Sequence, residues 1–135
     1  MNTMVRASRI FKHLVNYYDL SAENAEIPAY IPQNFLQEGE FFIGIYENFT
    51  GKPDECIILT NFGIYVWHEI GLKFIAFKKI KSATVPPKED GSNKFKISTI
   101  DGDLFDVPVY GGKGKFKDIY QFVRFIDRVV EDNKS

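Results

Sequence analysis

The sequence has few of the residues that hold small folds together covalently or through metals. Its 135 residues include one cysteine, Cys56, and two histidines, His13 and His68. One cysteine excludes a disulfide within the chain, and the histidines have no second cysteine with which to form a zinc site. We therefore expect no metal and no cofactor. Cys56 begins an apolar run, which indicates a small hydrophobic residue of a strand.

Long apolar runs are also missing. Nowhere do about 18 apolar residues follow one another, so the sequence predicts no transmembrane helix. Near the N-terminus the apolar residues are interspersed with Arg6, Arg9 and Lys12, unlike the continuous apolar stretch of a signal peptide. These absences predict a cytoplasmic protein, in which the glycosylation sequon at Asn48 would have no consequence.

Charge of one sign does not dominate either. The chain has 17 basic and 18 acidic residues, which is far from the basic footprint of a nucleic-acid-binding protein. The composition is 44% hydrophobic and 16% aromatic, which is typical of a folded protein and excludes a disordered one. The length fits one hydrophobic core.

An amphipathic helix is predicted from Ser8 to Tyr18, because its apolar residues recur at spacings of three and four. This apolar side could dock on the chain's own domain, which we favour, or on a partner or a membrane surface. The following residues, 19–39, form an irregular connector with one helical turn around Gln33 to Gln37. The candidate interface residues on the helix are Ile10, Phe11, Leu14 and Val15.

Seven runs rich in β-branched and aromatic residues, each bounded by turn formers, predict seven strands. Asp101 and Gly102 predict a tight hairpin between the last two, with positive φ at both positions. Pro86 and Pro87 end the fifth strand near Val85. The aromatic residues of the third and fourth strands are expected in a barrel core. The seven runs are Glu40 to Tyr46, Glu55 to Thr60, Ile64 to His68, Lys73 to Phe77, Ile80 to Val85, Lys94 to Ile100 and Asp103 to Val109.

A second amphipathic helix is predicted from Phe116, with an apolar stripe that includes Ile119 and Ile126. The glycine-rich loop before it supplies free N–H groups and lysines that attract anions, although its spacing does not match a nucleotide-binding P-loop. The candidate anion-binding residues of this loop are Lys113, Lys115 and Lys117.

Catalysis has no positive signal in the sequence. Asp103 and Asp106 differ by an odd number of residues, so in a regular strand they point to opposite faces. His68 has an acidic neighbour, Glu69, but no glycine-framed serine or cysteine–histidine signature accompanies it. We therefore predict a protein that is not an enzyme and that has no catalytic residues.

Two segments carry a resemblance to a known family. The run ILTNFGIYVW at 58–67 and the run KFIAFKKIKSATVP at 73–86 resemble the hairpin and the lysine-bearing fourth and fifth strands of bacterial pleckstrin-homology-like (PH-like and GRAM-like) domains. The resemblance implies a mainly β fold, α+β by content, in which a seven-stranded antiparallel barrel is capped by a C-terminal helix. The predicted organisation is an N-terminal helix and connector at 1–37 and the barrel with its helix at 38–135.

The same resemblance implies a binding role. PH domains that bind inositol phosphates have a basic cluster in the first loop between strands, whereas here the loop from Glu47 to Glu55 has a single lysine, Lys52. The predicted function is therefore a non-enzymatic module for protein interaction or self-assembly. The alternative is binding of an anionic lipid headgroup, through the N-terminal basic residues or the glycine-rich loop.

Overall fold

Two antiparallel sheets and two helices form the part of the chain that the computed structural model describes, which is residues 3–21, 25–31, 36–68, 71–85, 93–111 and 118–134. A 3-10 helix, Phe77–Lys79, links the sheets. Neither described helix is long and apolar enough to cross a membrane. The helices are α1 (Thr3–Phe11) and α2 (Asp118–Lys134), and the strands are β1 (Tyr17–Asp19), β2 (Phe42–Tyr46), β3 (Ile57–Thr60), β4 (Gly63–His68), β5 (Gly71–Ala76), β6 (Ile80–Thr84), β7 (Lys94–Thr99) and β8 (Leu104–Pro108).

The first sheet has the order β1-β2-β3-β4-β5 and the second the order β6-β7-β8. Each of the seven predicted runs corresponds to one strand, and the ends of the run and the strand differ by at most two residues. The mainly β prediction is thus confirmed. The closed seven-stranded barrel is not, because the described strands form two separate sheets and no ladder joins them.

The predicted N-terminal helix was misplaced. The helix ends at Phe11 rather than Tyr18, and Tyr17–Asp19 is an eighth strand. β1 pairs with the edge of β2, with Tyr17 opposite Tyr46 and Asp19 opposite Gly44. The backbone groups of that edge therefore gain partners that a continued helix would have left unpaired, and aromatic residues are favoured in strands.

α1 docks on its own chain. Its residues Ala7 and Phe11 are completely buried, and the Phe11 ring lies 4.6 Å from that of Phe122 and 5.1 Å from that of Phe125 on α2. The Arg6 guanidinium donates two hydrogen bonds to the Asp132 carboxylate, at 2.9 and 2.8 Å. The docking on the chain's own domain that the apolar stripe predicted is therefore what the structure shows.

The first sheet is covered on both faces. Its inner face packs on both helices and the second sheet, in an inner core that includes Leu59, Ile64 and Val66. Its opposite face forms an outer core, where Leu20 and Ile31 of the N-terminal segment pack on the strands. Because successive side chains of a strand point to opposite faces, burial of both faces gives the continuous apolar runs seen in the sequence. The strand residues of the outer core are Ile45, Ile58 and Tyr65.

The turns follow the sequence with one difference. β7 and β8 form the predicted hairpin, but only Gly102 of the Asp101–Gly102 pair has positive φ, at +91°. The Gly102 N–H donates to the Thr99 carbonyl at 3.0 Å. This geometry is a type I turn followed by a left-handed glycine rather than a turn with two left-handed residues. The predicted stop of the fifth strand is confirmed, since β6 ends at Thr84.

α2 begins at Asp118, and its predicted apolar stripe is confirmed: Ile119, Val123 and Ile126 are buried in the inner core. The Tyr46 hydroxyl donates a 2.6 Å hydrogen bond to the Asp118 carboxylate, which ties the start of the helix to β2. Most of the glycine-rich loop, residues 112–117, lies outside the described residues. So do residues 33–35 of the predicted helical turn.

Candidate functional site

A surface groove of about 580 Å³ lies where the end of β5, the turn between β3 and β4, and the 3-10 helix meet. We call it the Phe74 groove. It combines aromatic side chains with two lysines, which is the composition of a site for a ligand that is apolar and anionic at once. It is lined by Thr3, Gln37, Asn61, Phe62, Phe74, Ala76, Phe77, Lys78, Lys79 and Asn133.

Phe74 is the most informative residue of the groove. It belongs to the outer face of the first sheet, where its ring packs 4.6 Å from that of Tyr65, yet it is 37% exposed. The barrel-core position expected for Phe74 is thus wrong, and Tyr65 likewise belongs to the outer core. Because both faces of the sheet are apolar, alternation alone could not tell which one faces the inner core.

The walls of the groove are fixed by backbone contacts. The Phe77 N–H donates to the Phe62 carbonyl at 3.0 Å, which joins the 3-10 helix to the turn. At Gly63, a Cβ atom would collide with the Ile75 carbonyl and lie 2.6 Å from the Phe74 ring. A glycine at this position therefore lets the turn approach β5 closely enough to form the groove.

The buried carboxylate of Glu40 bonds to Tyr65, whose ring packs on Phe74. Glu40 is 8% exposed and accepts hydrogen bonds from the Thr60 hydroxyl at 2.6 Å and the Tyr65 hydroxyl at 2.8 Å. It also accepts the Gln37 N–H at 2.9 Å. Burial and the bond to Glu40 raise the pKa of Tyr65. Tyr65 is held in turn against Phe74, so the network fixes the orientation of the groove's aromatic wall.

The charge at the groove is positive. Lys78 and Lys79 both lie on the 3-10 helix and are exposed. Lys79 lies 3.5 Å from Asp101, but both side chains are more than half exposed, so solvent weakens the pair. The Asn61 side chain already forms hydrogen bonds within the fold: it accepts the Phe41 N–H at 2.7 Å and donates to the Gly39 carbonyl at 3.0 Å. The lysines therefore supply the positive charge of the groove.

A second, smaller pocket of about 390 Å³ marks the open seam between β5 and β8. There the Lys73 ammonium lies over the Phe105 ring, 4.6 Å from its centroid. Near one end of this seam, the buried Asn48 donates to the carbonyls of Glu55 and Pro108, at 2.6 and 2.8 Å, and accepts the Tyr110 N–H at 2.8 Å. Side-chain contacts, rather than a backbone ladder, thus join the two sheets in the described residues.

The predicted interface residues of the N-terminal segment differ in their burial. Of the four candidate interface residues, Phe11 is buried, Ile10 and Leu14 pack at the margin of the inner core, and Val15 is 89% exposed. The three lysines of the glycine-rich loop lie outside the described residues. Among the N-terminal basic residues, Arg6 is engaged by Asp132, while Arg9 and Lys12 are exposed.

Three groups that could perform chemistry are buried or separated from one another in the described residues. Burial raises the pKa of the Cys56 thiol to about 12, so the thiol stays protonated at neutral pH. Asp106 pairs with Lys96 at 2.9 Å on the surface of the second sheet, away from Asp101 on the hairpin turn. Within the described ranges, no three histidine, cysteine or acidic residues converge as a metal site would require.

Comparison of the chain with models of known families, with characterised proteins and with solved structures gave no match.

Proposed function

We propose that this chain is a non-enzymatic, PH-like binding module whose Phe74 groove binds a segment of a protein partner. The strand arrangement supports the PH-like part of the proposal. β2 to β8 are seven consecutive antiparallel strands, four in the first sheet and three in the second, and α2 follows them. This is the order of elements that the resemblance implies.

The groove supports a protein segment as ligand. An exposed phenylalanine beside a second aromatic residue provides an apolar wall for one side chain of the partner, and such anchors dominate the energy of protein interfaces. Lys78 and Lys79 at the rim favour acidic residues next to that anchor. The single observation that carries the proposal is that Phe74, whose ring packs on Tyr65 of the outer core, is 37% exposed and lines the groove.

A display selection tests this proposal and reads out the side chains that the groove prefers. A random peptide library is selected on the full chain, and binding of the selected peptides to wild type, Phe74→Glu and Lys78→Glu is measured by calorimetry. We expect peptides in which an aromatic or aliphatic residue is flanked by acids. Affinity should fall by about tenfold or more in either variant, because each loses an anchor or reverses a charge.

Val15→Glu is the matched control, because Val15 is 89% exposed and does not line the groove. Peptides that bind Phe74→Glu as tightly as wild type would show that the groove is not the binding site. Circular dichroism of each variant establishes that it is folded.

An anionic lipid surface is the alternative ligand, because Lys78, Lys79 and Lys81 are exposed along one short segment. Its test is sedimentation with vesicles of phosphatidylserine and phosphatidylcholine. Salt-sensitive binding that Lys78→Glu abolishes, together with a failed peptide selection, would favour the lipid over the protein partner.

A further inference from the structure

Four of the described strands lie at sheet edges, and three of them carry features that discourage a further strand. β1 has only three residues, the register of β6 shifts between Ile80 and Ser82, and β8 ends at Pro108. The Pro108 carbonyl is also bound by the Asn48 side chain, at 2.8 Å. Short strands, bulges and proline are features that protect sheet edges. β5 is the exception, because its six residues pair with β4 in an unbroken register.

The hydrogen bonds around β5 show which of its backbone groups face the open edge. In an antiparallel ladder, successive residues point their N–H and C=O groups alternately to the two sides of the strand. The Phe77 N–H, just after β5, donates to the Phe62 carbonyl on the side of β4. Trp67 lies opposite Leu72 but donates its N–H to the Cys56 carbonyl, toward β3. The even-numbered residues of β5 therefore point away from β4. These are Leu72, Phe74 and Ala76.

This open edge and the Phe74 groove are parts of one surface. Phe74 and Ala76 line the groove, and their outward backbone groups have no hydrogen-bond partner among the described residues. A ligand that covers the Phe74 ring therefore also lies against the edge, and backbone groups that it buries there need partners. A helical ligand has few to offer, because its own backbone groups are paired along the helix. An extended segment has a free row of them.

The segment that carries this edge is positively charged. Residues 71–81 include four lysines and no acidic residue, and Lys78 forms no ion pair with a described residue. Lys79 has one partner, Asp101, in an exposed pair that solvent weakens. An incoming strand with acidic residues therefore complements the charge of the edge.

We infer that the ligand of the Phe74 groove is an extended, acidic segment of a partner protein that adds to β5 as a further strand of the first sheet. This inference rests on the proposed function and names the conformation of its ligand. Main-chain hydrogen bonds to the outward groups of β5 hold the segment, and every second side chain of the segment packs on the side of Phe74.

Backbone N-methylation of the peptides obtained in the display selection tests this strand pairing. An N-methyl group removes one N–H donor and leaves the side chain unchanged. Methylation at every second position of the bound segment should weaken binding by about tenfold or more, and at the positions between by less than about twofold. Calorimetry with the full chain measures each affinity.

A substitution in the chain removes a donor from the edge itself. Ala76 has φ −70°, which proline adopts, and its N–H points away from the β4–β5 ladder, so Ala76→Pro is expected to fold. It should weaken peptide binding by about tenfold, because the added strand loses one donor. Ala76→Ser keeps the N–H and is the matched control, with unchanged affinity. Circular dichroism establishes that both variants are folded.

Hydrogen exchange of the unaltered chain gives a measurement that needs no variant. In the free chain, the amides of Leu72 and Phe74 should exchange faster than those of Lys73 and Ile75, which are paired with β4. Bound peptide should slow exchange at Leu72 and Phe74.

Peptides that require Phe74 but tolerate N-methylation at every position would overturn the strand pairing and leave the proposed function intact. So would wild-type affinity in a folded Ala76→Pro, or a Phe74 amide that stays unprotected in the complex. A selection that yields no peptide dependent on Phe74 would overturn the proposed function, and this inference with it.

Discussion

Gly63 holds a position that no other residue can occupy without a shift of the backbone. A Cβ atom there meets the carbonyl of Ile75, which belongs to the paired strand β5 and cannot rotate away. We expect Gly63→Ala to lower the free energy of unfolding by about 1–3 kcal/mol, as overpacking does. Urea unfolding measures the change.

Gly51→Ala is the useful comparison, because it tests backbone strain without crowding. Gly51 has φ +77°, and a Cβ atom added there would have no neighbour within 4 Å. We expect Gly51→Ala to lower the free energy of unfolding by about 1 kcal/mol. If Gly63→Ala proved milder than Gly51→Ala, close approach of the strands would not explain the glycine.

The bond between Tyr46 and Asp118 is a buried polar contact that joins the first sheet to α2. Burial, followed by the bond to Asp118, raises the pKa of Tyr46. The folded state therefore holds this proton more tightly than the unfolded state does, where the pKa is near 10. The resulting stability is present below pH 10 and is lost as the pH rises above it.

Tyr46→Phe should therefore have two effects. At neutral pH it leaves the buried Asp118 without this donor, which costs about 1–3 kcal/mol. Above pH 10, the fall in unfolding free energy with pH should be shallower than in wild type. Tyr18→Phe, at an exposed position of β1, is the control. Equal alkaline slopes for wild type and Tyr46→Phe would contradict the assignment.

At the scale of elements, α1 depends on one ion pair as well as on apolar packing. The hydrogen bonds from Arg6 lower the pKa of the Asp132 carboxyl below its usual 3.8. A lowered folded-state pKa means that the contribution is present above pH 3.8 and is lost as the pH falls below it. At a pH below 3.8, we therefore expect the amides of α1 to be less protected from exchange than those of α2.

Asp132→Asn should remove this acid sensitivity and speed exchange in α1 at neutral pH, as read by NMR hydrogen exchange. Glu131→Gln changes the neighbouring exposed carboxylate and is the matched control. Identical exchange rates in Asp132→Asn and wild type would show that apolar packing alone stabilises the docked helix.

The strands were more predictable than the helix boundaries, for a physical reason. Each strand run is bounded by turn residues such as Gly71 and Gly102, which have the positive φ that turns require. The N-terminal stripe had no such boundary: Leu14 and Tyr18 continue the helical spacing although the helix ends at Phe11. The strand at Tyr17 forms because β2 offers it an open edge, and that partner lies more than twenty residues away in sequence.

At the scale of the whole molecule, the candidate site had no local signal. The Phe74 groove takes residues from both ends of the chain and from three internal segments, from Thr3 to Asn133. Each of these segments looks ordinary alone, and Phe74 itself matches the pattern of a core strand residue. The exposed lysines next to it could be predicted from the sequence. The side of the sheet on which the aromatic residues lie could not, because it depends on the N-terminal segment, which packs on the same outer face.

The Asn48 amide has a consequence for how the chain can be produced. The folded chain uses both its Nδ2 and its Oδ1 to bind two separate segments near the seam between the sheets, one at Glu55 and one from Pro108 to Tyr110. The same residue begins the triplet Asn48, Phe49, Thr50, which the glycosylation machinery of a secretory pathway recognises. A sugar attached to Nδ2 during export would occupy the atom that the fold needs. Expression in a compartment without that machinery avoids this conflict, and Thr50→Ala would remove it elsewhere.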